Sequence, residues 1–257
     1  MGRILAVVNQ KGGTAKTTTS VNLAAYIALS GRRVLLLDID PQGSASSGTG
    51  IVKASVSKCM YDILINDVSI DEVKQKTSVN GLEIVPATVK LSGSEIELVN
   101  MMSREHRLKA AIDKVKNVYD YFIIDCPPSL GLLTLNALAA SDSIIVPIQC
   151  EFYALEGLSQ LIKTIRLVKK GLNPSLDIEG VLLTMFDART NLSIQVADEV
   201  KKYYPKKVYA SVIPRNVRLS EAPSYGQPIT VYDENSKGAE SYTKLANEVI
   251  ERNEGVK

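Results

Sequence analysis

Short apolar runs alternate along this 257-residue chain with longer stretches in which apolar residues recur every third or fourth position. The short runs cover residues 4–8, 34–38, 82–86, 121–125, 143–147, 181–185 and 208–213. Most are apolar at successive positions, the pattern of strands buried on both faces, as in a parallel sheet. Helical spacing predicts helices over residues 20–29, 61–65, 70–73, 91–98, 107–118, 151–170 and 239–251. Residues 44–57 are rich in Gly and Ser and read as a mobile loop. The alternation of strand and helix predicts an α/β fold, a mostly parallel twisted sheet with helices on both faces. At this length one domain over residues 1–257 is the expectation.

The first strand runs directly into Lys11, Gly12, Gly13, Thr14, Ala15, Lys16, Thr17 and Thr18, and a helix follows. Strand, glycine turn, Lys-Thr and helix is the layout of a P-loop NTPase fold. Glycines let the backbone turn sharply and bring its N–H groups close to an anion. The free N–H groups and the dipole of the following helix favour the same charge. Lys16 adds a cation for β- and γ-phosphates, and the Thr17 hydroxyl is placed to hold Mg²⁺. The common pattern has Gly immediately before the lysine; this chain has Ala15, whose methyl would crowd the phosphates if the loop needs a positive φ there.

Two more motifs end strands. Residues 34–38 lead into Asp38, Asp40, Pro41, Gln42 and Gly43, which puts two carboxylates where open α/β sheets bind ligands. Phosphoryl transfer needs a carboxylate near Mg²⁺ and the attacking water. Residues 121–125 end in Asp125, the Walker B layout for a carboxylate that binds Mg²⁺ through water. Cys126 beside it reads as packing.

Composition narrows the field. Net charge is only +2, but residues 161–218 hold eleven Lys and Arg against five Asp and Glu. A basic half of this kind suits a polyanion. Three scattered cysteines without a C-x-x-C pair argue against a zinc site or a disulfide framework and fit a reducing compartment. The one histidine, His106, lies in a charged stretch and offers no histidine-based catalysis. The N-terminal residues lack a basic start with a long apolar core, and no run approaches the ~20 apolar residues of a membrane helix. The expected location is cytoplasmic.

With Lys11 ahead of the double glycine, Lys-Gly-Gly-x-x-Lys-Thr is the deviant Walker A motif. The chain resembles the ParA/MinD family of dimerising ATPases, most closely the Soj-type ParA proteins of chromosome partitioning. The resemblance spans essentially the whole chain and is strongest over residues 4–50, 119–160 and 180–226. It implies a Mg·ATP-dependent homodimer that binds DNA non-specifically, associates with the nucleoid, and hydrolyses ATP slowly until a ParB-type partner stimulates it. It further implies that Asp40 positions the water near the metal and that Asp38 supports it. Lys16 grips phosphates in cis and Lys11 reaches the other subunit's site. Pro214, Arg215 and Asn216 lie by the adenine and ribose, and Arg189 and Arg218 contact DNA. The implied metal ligands are Thr17, Asp40 and Asp125. No helix-turn-helix or zinc motif is present, so sequence-specific reading of DNA is not expected.

Three other functions share parts of this motif set. A MinD-like membrane-surface ATPase needs an amphipathic C-terminal helix with basic flanks, whereas residues 249–257 mix in acids and lack aromatics. An electron carrier like the nitrogenase iron protein needs cluster-ligating cysteines, and Cys126 follows Asp125 too closely. A GTPase needs an [NT]-K-x-D motif, which is absent.

Overall fold

The computed structural model describes residues 2–151 and 154–255. Its eight strands are β1 (Arg3–Val7), β2 (Val34–Asp38), β3 (Gln75–Lys76), β4 (Leu82–Val85), β5 (Tyr121–Asp125), β6 (Ser143–Gln149), β7 (Asp177–Phe186) and β8 (Val208–Pro214). They form one sheet in the order β3-β4-β2-β5-β1-β6-β7-β8. All neighbours are parallel except the short edge strand β3, which runs antiparallel to β4.

Each central strand buries both faces, and the faces belong to different cores. Ile4, Ala6, Leu35, Leu37, Phe122 and Ile124 face one core, with Leu91, Leu108, Leu133 and Leu161 from the helices. Leu5, Val7, Val34, Leu36, Tyr121 and Ile123 face the other, with Leu23, Ile27, Leu245 and Val249. This period of two, apolar on both sides, is why the strands read as continuous apolar runs. The expected α/β architecture with helices on both faces is therefore the one observed.

Register places the chemistry. Val7 at the end of β1 is level with Asp125 at the end of β5, and Asp38 at the end of β2 is level with Asp125 from the other side. Further along the sheet Phe186 pairs with Pro214. The loops after β1, β2, β5, β7 and β8 thus emerge at one edge, where open parallel sheets bind ligands.

Several sequence expectations change. Residues 44–57 are not one open loop: they hold a helix, Ser44–Gly48, and a single 3₁₀ turn, Lys53–Ser55. Ala45, Ser46 and Gly48 are buried, because small residues allow the chain to pack tightly against the end of β2. The helix expected over residues 107–118 stops at Asp113 and continues as turns. The first helix starts at Lys16, inside the glycine motif, rather than at residue 20. The helix expected from residue 151 is observed as Ala154–Gly171; residues 152–153 lie outside the described ones. Helices Leu132–Ala140 and Asn191–Tyr203, and the strand β3, had no separate expectation. The first of these is apolar nearly all round and has no stripe to read; the second buries Ser193, Val196, Ala197 and Val200 at helical spacing, a period that the sequence does carry.

Candidate functional site

The glycine motif is a loop held at both shoulders. Asn9 donates from Nδ2 to the Pro147 carbonyl of β6 (2.7 Å) and accepts the Lys11 N–H (3.0 Å). Across the loop, Thr184 of β7 donates to the Thr14 carbonyl (3.2 Å). Gly13 takes φ 73°, a conformation that glycine adopts without cost. Ala15 takes φ 65°, ψ 30°, the left-handed region that an alanine methyl disfavours by roughly 1–2 kcal/mol. The loop does need a positive φ before its lysine, and this chain meets it with strain. Lys16 opens the helix, is 7% exposed, and donates from Nζ to the Lys11 carbonyl (3.0 Å). Burial lowers its pKa, opposed by the neighbouring carboxyls of Asp125 and Asp40.

Beneath the loop lies Asp125, fully buried. Thr17 Oγ1 donates to Oδ2 (2.9 Å) and Ser20 Oγ to Oδ1 (2.7 Å). Burial raises the Asp125 carboxyl well above the usual carboxylate range, and the charge of Asp38 adds to it. Asp38 is also fully buried and is raised by burial, with the hydrogen bonds from Ser46 and Asp40 pulling the other way. Asp40 closes an Asx turn by accepting the Gln42 N–H (2.9 Å). Asp125 and Asp40 therefore act on one lysine, with Asp38 level with Asp125 in the sheet, a site that favours a further cation. Among the described residues no three Asp, Glu, His or Cys side chains form a cage for a metal by themselves. Mg²⁺ does not require one, since it keeps several waters and takes few protein ligands.

Gly12, Gly13, Lys16, Thr17, Thr18 and Asp40 line a cavity of about 390 Å³. A second cavity, of about 340 Å³, is lined by Pro214, Arg215 and Asn216 and shares Ala15, Thr18, Met185 and Pro223 with the first. The loop after β8 is thus brought beside the glycine motif. Asn216 has a local task as well: its side chain caps the helix Val217–Glu221 by accepting the Leu219 N–H (3.2 Å).

The Lys11 side chain pairs with Glu151 (3.6 Å), which also lies 3.9 Å from Arg215. Arg189 and Arg218 are outside both cavities, Arg189 on the loop after β7 and Arg218 in the helix Val217–Glu221 that follows β8. Arg189 is highly exposed and bonded to Asp187 (2.7 Å), whose carboxyl it holds down at about 2. Arg218 pairs with Glu221 (3.0 Å) and Asp233 (3.3 Å). Such exposed pairs are weak and open readily to a competing anion.

Sequence reasoning missed Asn9, Ser20, Ser46, Glu151, Thr184 and Met185. Only Ser20 carries a local signal, one helical turn after Lys16 and so on the same face. Met185 has φ 50°, a strained conformation for a bulky residue, and lies between the two cavities.

A family model described as AAA domain matches residues 2–178. The sporulation initiation inhibitor protein Soj of Bacillus subtilis is 65% identical over 249 residues, covering 97% of this chain and 98% of that protein. The chromosome partitioning protein ParA of Myxococcus xanthus is 56% identical over 252 residues, 98% of this chain and 89% of that protein. Among solved structures, cobyrinic acid a,c-diamide synthase from Mycobacterium smegmatis, with bound ADP and magnesium, matches with a TM-score of 0.88 at 38% identity. That match covers 99% of this chain and 96% of that one.

Two predictions come from this geometry. Ala15→Gly removes the left-handed strain but adds freedom to the unfolded chain. The net expectation is a stabilisation of about 0.5–1 kcal/mol, read from the urea midpoint. The second concerns pH. A carboxyl whose pKa is higher folded than unfolded binds more protons in the folded state, so the metal-free protein loses stability as pH rises through that window. Asp125→Asn removes the penalty. Melted in chelator, it should gain on the parent by about 1 kcal/mol or more at about pH 8 and show little gain at about pH 3.5, below the unfolded carboxyl's own pKa. An equal effect at both would place the ionisation elsewhere.

Proposed function

The chain belongs to the Soj/ParA family of chromosome-partitioning ATPases, and from that premise we propose that it binds Mg·ATP at the glycine motif, dimerises in that state, and then binds DNA without sequence preference. Hydrolysis is slow until a ParB-type partner stimulates it, and residues 1–257 act as one ATPase domain. The observation that carries the reading is the meeting of three strand ends: the glycine loop after β1 and Asp40 after β2 line one cavity, and Asp38 and Asp125, level with each other at the ends of β2 and β5, lie beneath it, with Asp125 bonded to Thr17 of the cavity wall.

The residues present fit Mg·ATP. Thr17 holds its hydroxyl 2.9 Å from Asp125, so a metal-binding oxygen and a buried carboxylate already face each other. Bound Mg²⁺ supplies positive charge to the β- and γ-phosphates and to the three carboxylates. Lys16 exchanges its contact with the Lys11 carbonyl for phosphate oxygens, while the N–H groups of the loop and the first helical turn face the same anion. Asp40 lines the cavity and positions the attacking water. Pro214, Arg215 and Asn216 form the wall that receives the base and ribose. Lys11 leaves Glu151 and reaches the partner subunit's phosphates, as an arginine finger supplied in trans does, which ties dimerisation to ATP.

Arg189 and Arg218 share an edge of the sheet and offer planar donors to DNA phosphates. A dimer presents two such patches to one duplex, so affinity rises with ATP although ATP touches no DNA. A MinD-like membrane role finds little support. The last helix, Lys237–Glu254, commits Tyr242, Leu245, Ala246 and Val249 to the core, and none of the described helices is long and apolar enough to cross a membrane.

Three variants test the nucleotide site together. Lys16→Ala should weaken ATP binding by more than about tenfold in calorimetry, because it removes the one buried cation of the loop. Asp40→Ala should bind ATP and accumulate as a dimer without hydrolysing it. Lys11→Ala should bind ATP and stay monomeric in size-exclusion chromatography. Unchanged ATP affinity in the first, wild-type turnover in the second, or a normal dimer in the third removes the corresponding role.

A salt titration of DNA affinity, with ATP present, tests the arginines. Arg189→Ala and Arg218→Ala should each weaken binding to every duplex alike and lower the log–log salt slope by roughly 1. Wild-type affinity and slope in both would move the DNA surface to the lysines of residues 201–207.

A further inference from the structure

We propose that Ser46 is a positioning residue for ATP hydrolysis, acting through Asp38 to hold Asp40 in place; this rests on the reading of Asp40 as the water-positioning group. Ser46 is fully buried in the helix Ser44–Gly48. Its Oγ lies 2.9 Å from the Ala87 amide nitrogen and 2.7 Å from Asp38 Oδ2. An amide N–H can only donate, so the hydroxyl accepts from Ala87 and its single proton goes to Asp38. The Ser46 N–H donates to the same carboxylate oxygen, at 2.8 Å. The other oxygen, Oδ1, accepts the Asp40 N–H at 3.1 Å. One carboxylate, fixed on β2, therefore bridges Ser46 to the backbone of Asp40.

The turn between them leaves little slack. Gly43 donates its N–H to the Asp40 carbonyl (2.8 Å) and has φ 62°. A Cβ on Gly43 would lie 2.6 Å from the Ala87 carbonyl oxygen, so the turn passes directly over the residue that also donates to Ser46. Residues 38–46 and Ala87 form one clamp with the Ser46 hydroxyl at its centre. Without that hydroxyl, Asp38 loses one of three donors and the buried Ala87 N–H has no acceptor. The Asp38 carboxylate is then held only by the Ser46 and Asp40 amides, and the anchor of Asp40 loosens. The phosphate cradle keeps its own bonds, because Ser46 makes no hydrogen bond to residues 11–18.

The test compares Ser46→Ala and Ser46→Thr in single-turnover hydrolysis, ATP calorimetry, size-exclusion chromatography and melting. Ser46→Ala should slow hydrolysis roughly tenfold or more, the size of losing a buried hydrogen bond to a charged group. Its ATP affinity should stay within about twofold of the parent, and it should accumulate as an ATP dimer as Asp40→Ala does. Ser46→Thr keeps the hydroxyl and should recover most of the rate. Wild-type turnover in Ser46→Ala overturns the proposal, as does ATP affinity lost in proportion to rate, or an equal defect in both variants. If Ser46→Ala does not fold, Asp38→Asn breaks the same link from the other side while keeping an acceptor for Asp40; a wild-type rate there also overturns it. Should Asp40→Ala stop hydrolysis and Ser46→Ala leave it intact, this inference alone fails. Wild-type turnover in Asp40→Ala would instead remove the reading beneath it.

Discussion

Two fully buried carboxylates govern this site. Asp38 and Asp125 end adjacent strands in register, both fully buried, and like charges at that separation raise each other's cost of ionising. The fold meets that cost with donors: Thr17 and Ser20 on one side, Ser46 and the Asp40 amide on the other. The helix that starts at Lys16 is set by this arrangement, since two of its first five residues must present hydroxyls to Asp125. So is the tight packing of residues 38–46, which would otherwise be an ordinary polar loop. An added cation is the natural remaining stabiliser, which is the physical link between the apo fold and the proposed Mg·ATP.

Rigidity and freedom are divided along the same edge. The glycine loop is tied to β6 and β7 through Asn9 and Thr184, and the Asp38–Asp40 turn is tied to Ala87 through Ser46. The charged tips, by contrast, rest on contacts that exchange easily. Lys16 sits on a carbonyl, Lys11 on a half-exposed glutamate, and the exposed Arg189 and Arg218 on partly buried acids. Under the proposed cycle each of these cations trades a weak internal partner for a phosphate. The backbone does not have to move far for that, because the side chains carry the change.

Ala15 shows how far local reasoning reaches. The sequence raised the possibility of a positive φ before Lys16, and the structure has one, with strain in place of glycine. Residues 44–57 show where such reasoning stops. Small polar residues signal a turn when exposed, and they serve equally well as compact donors when buried. Nothing local separates the two cases, so Ser46 looked like part of a loop.

By itself, the sequence determined the strand-and-helix alternation, the parallel sheet and the three motifs at strand ends. Those features are local: apolar runs set by burial on both faces, glycines where the chain must turn, and carboxylates directly after a strand. The tertiary structure alone decided which polar groups meet. Thr184 bonds Thr14 across 170 positions, Thr17 bonds Asp125 across 108, and Ala87 bonds Ser46 across 41. Strand order and register make those pairs, and both follow from packing the whole sheet against two layers of helices rather than from any short stretch of chain.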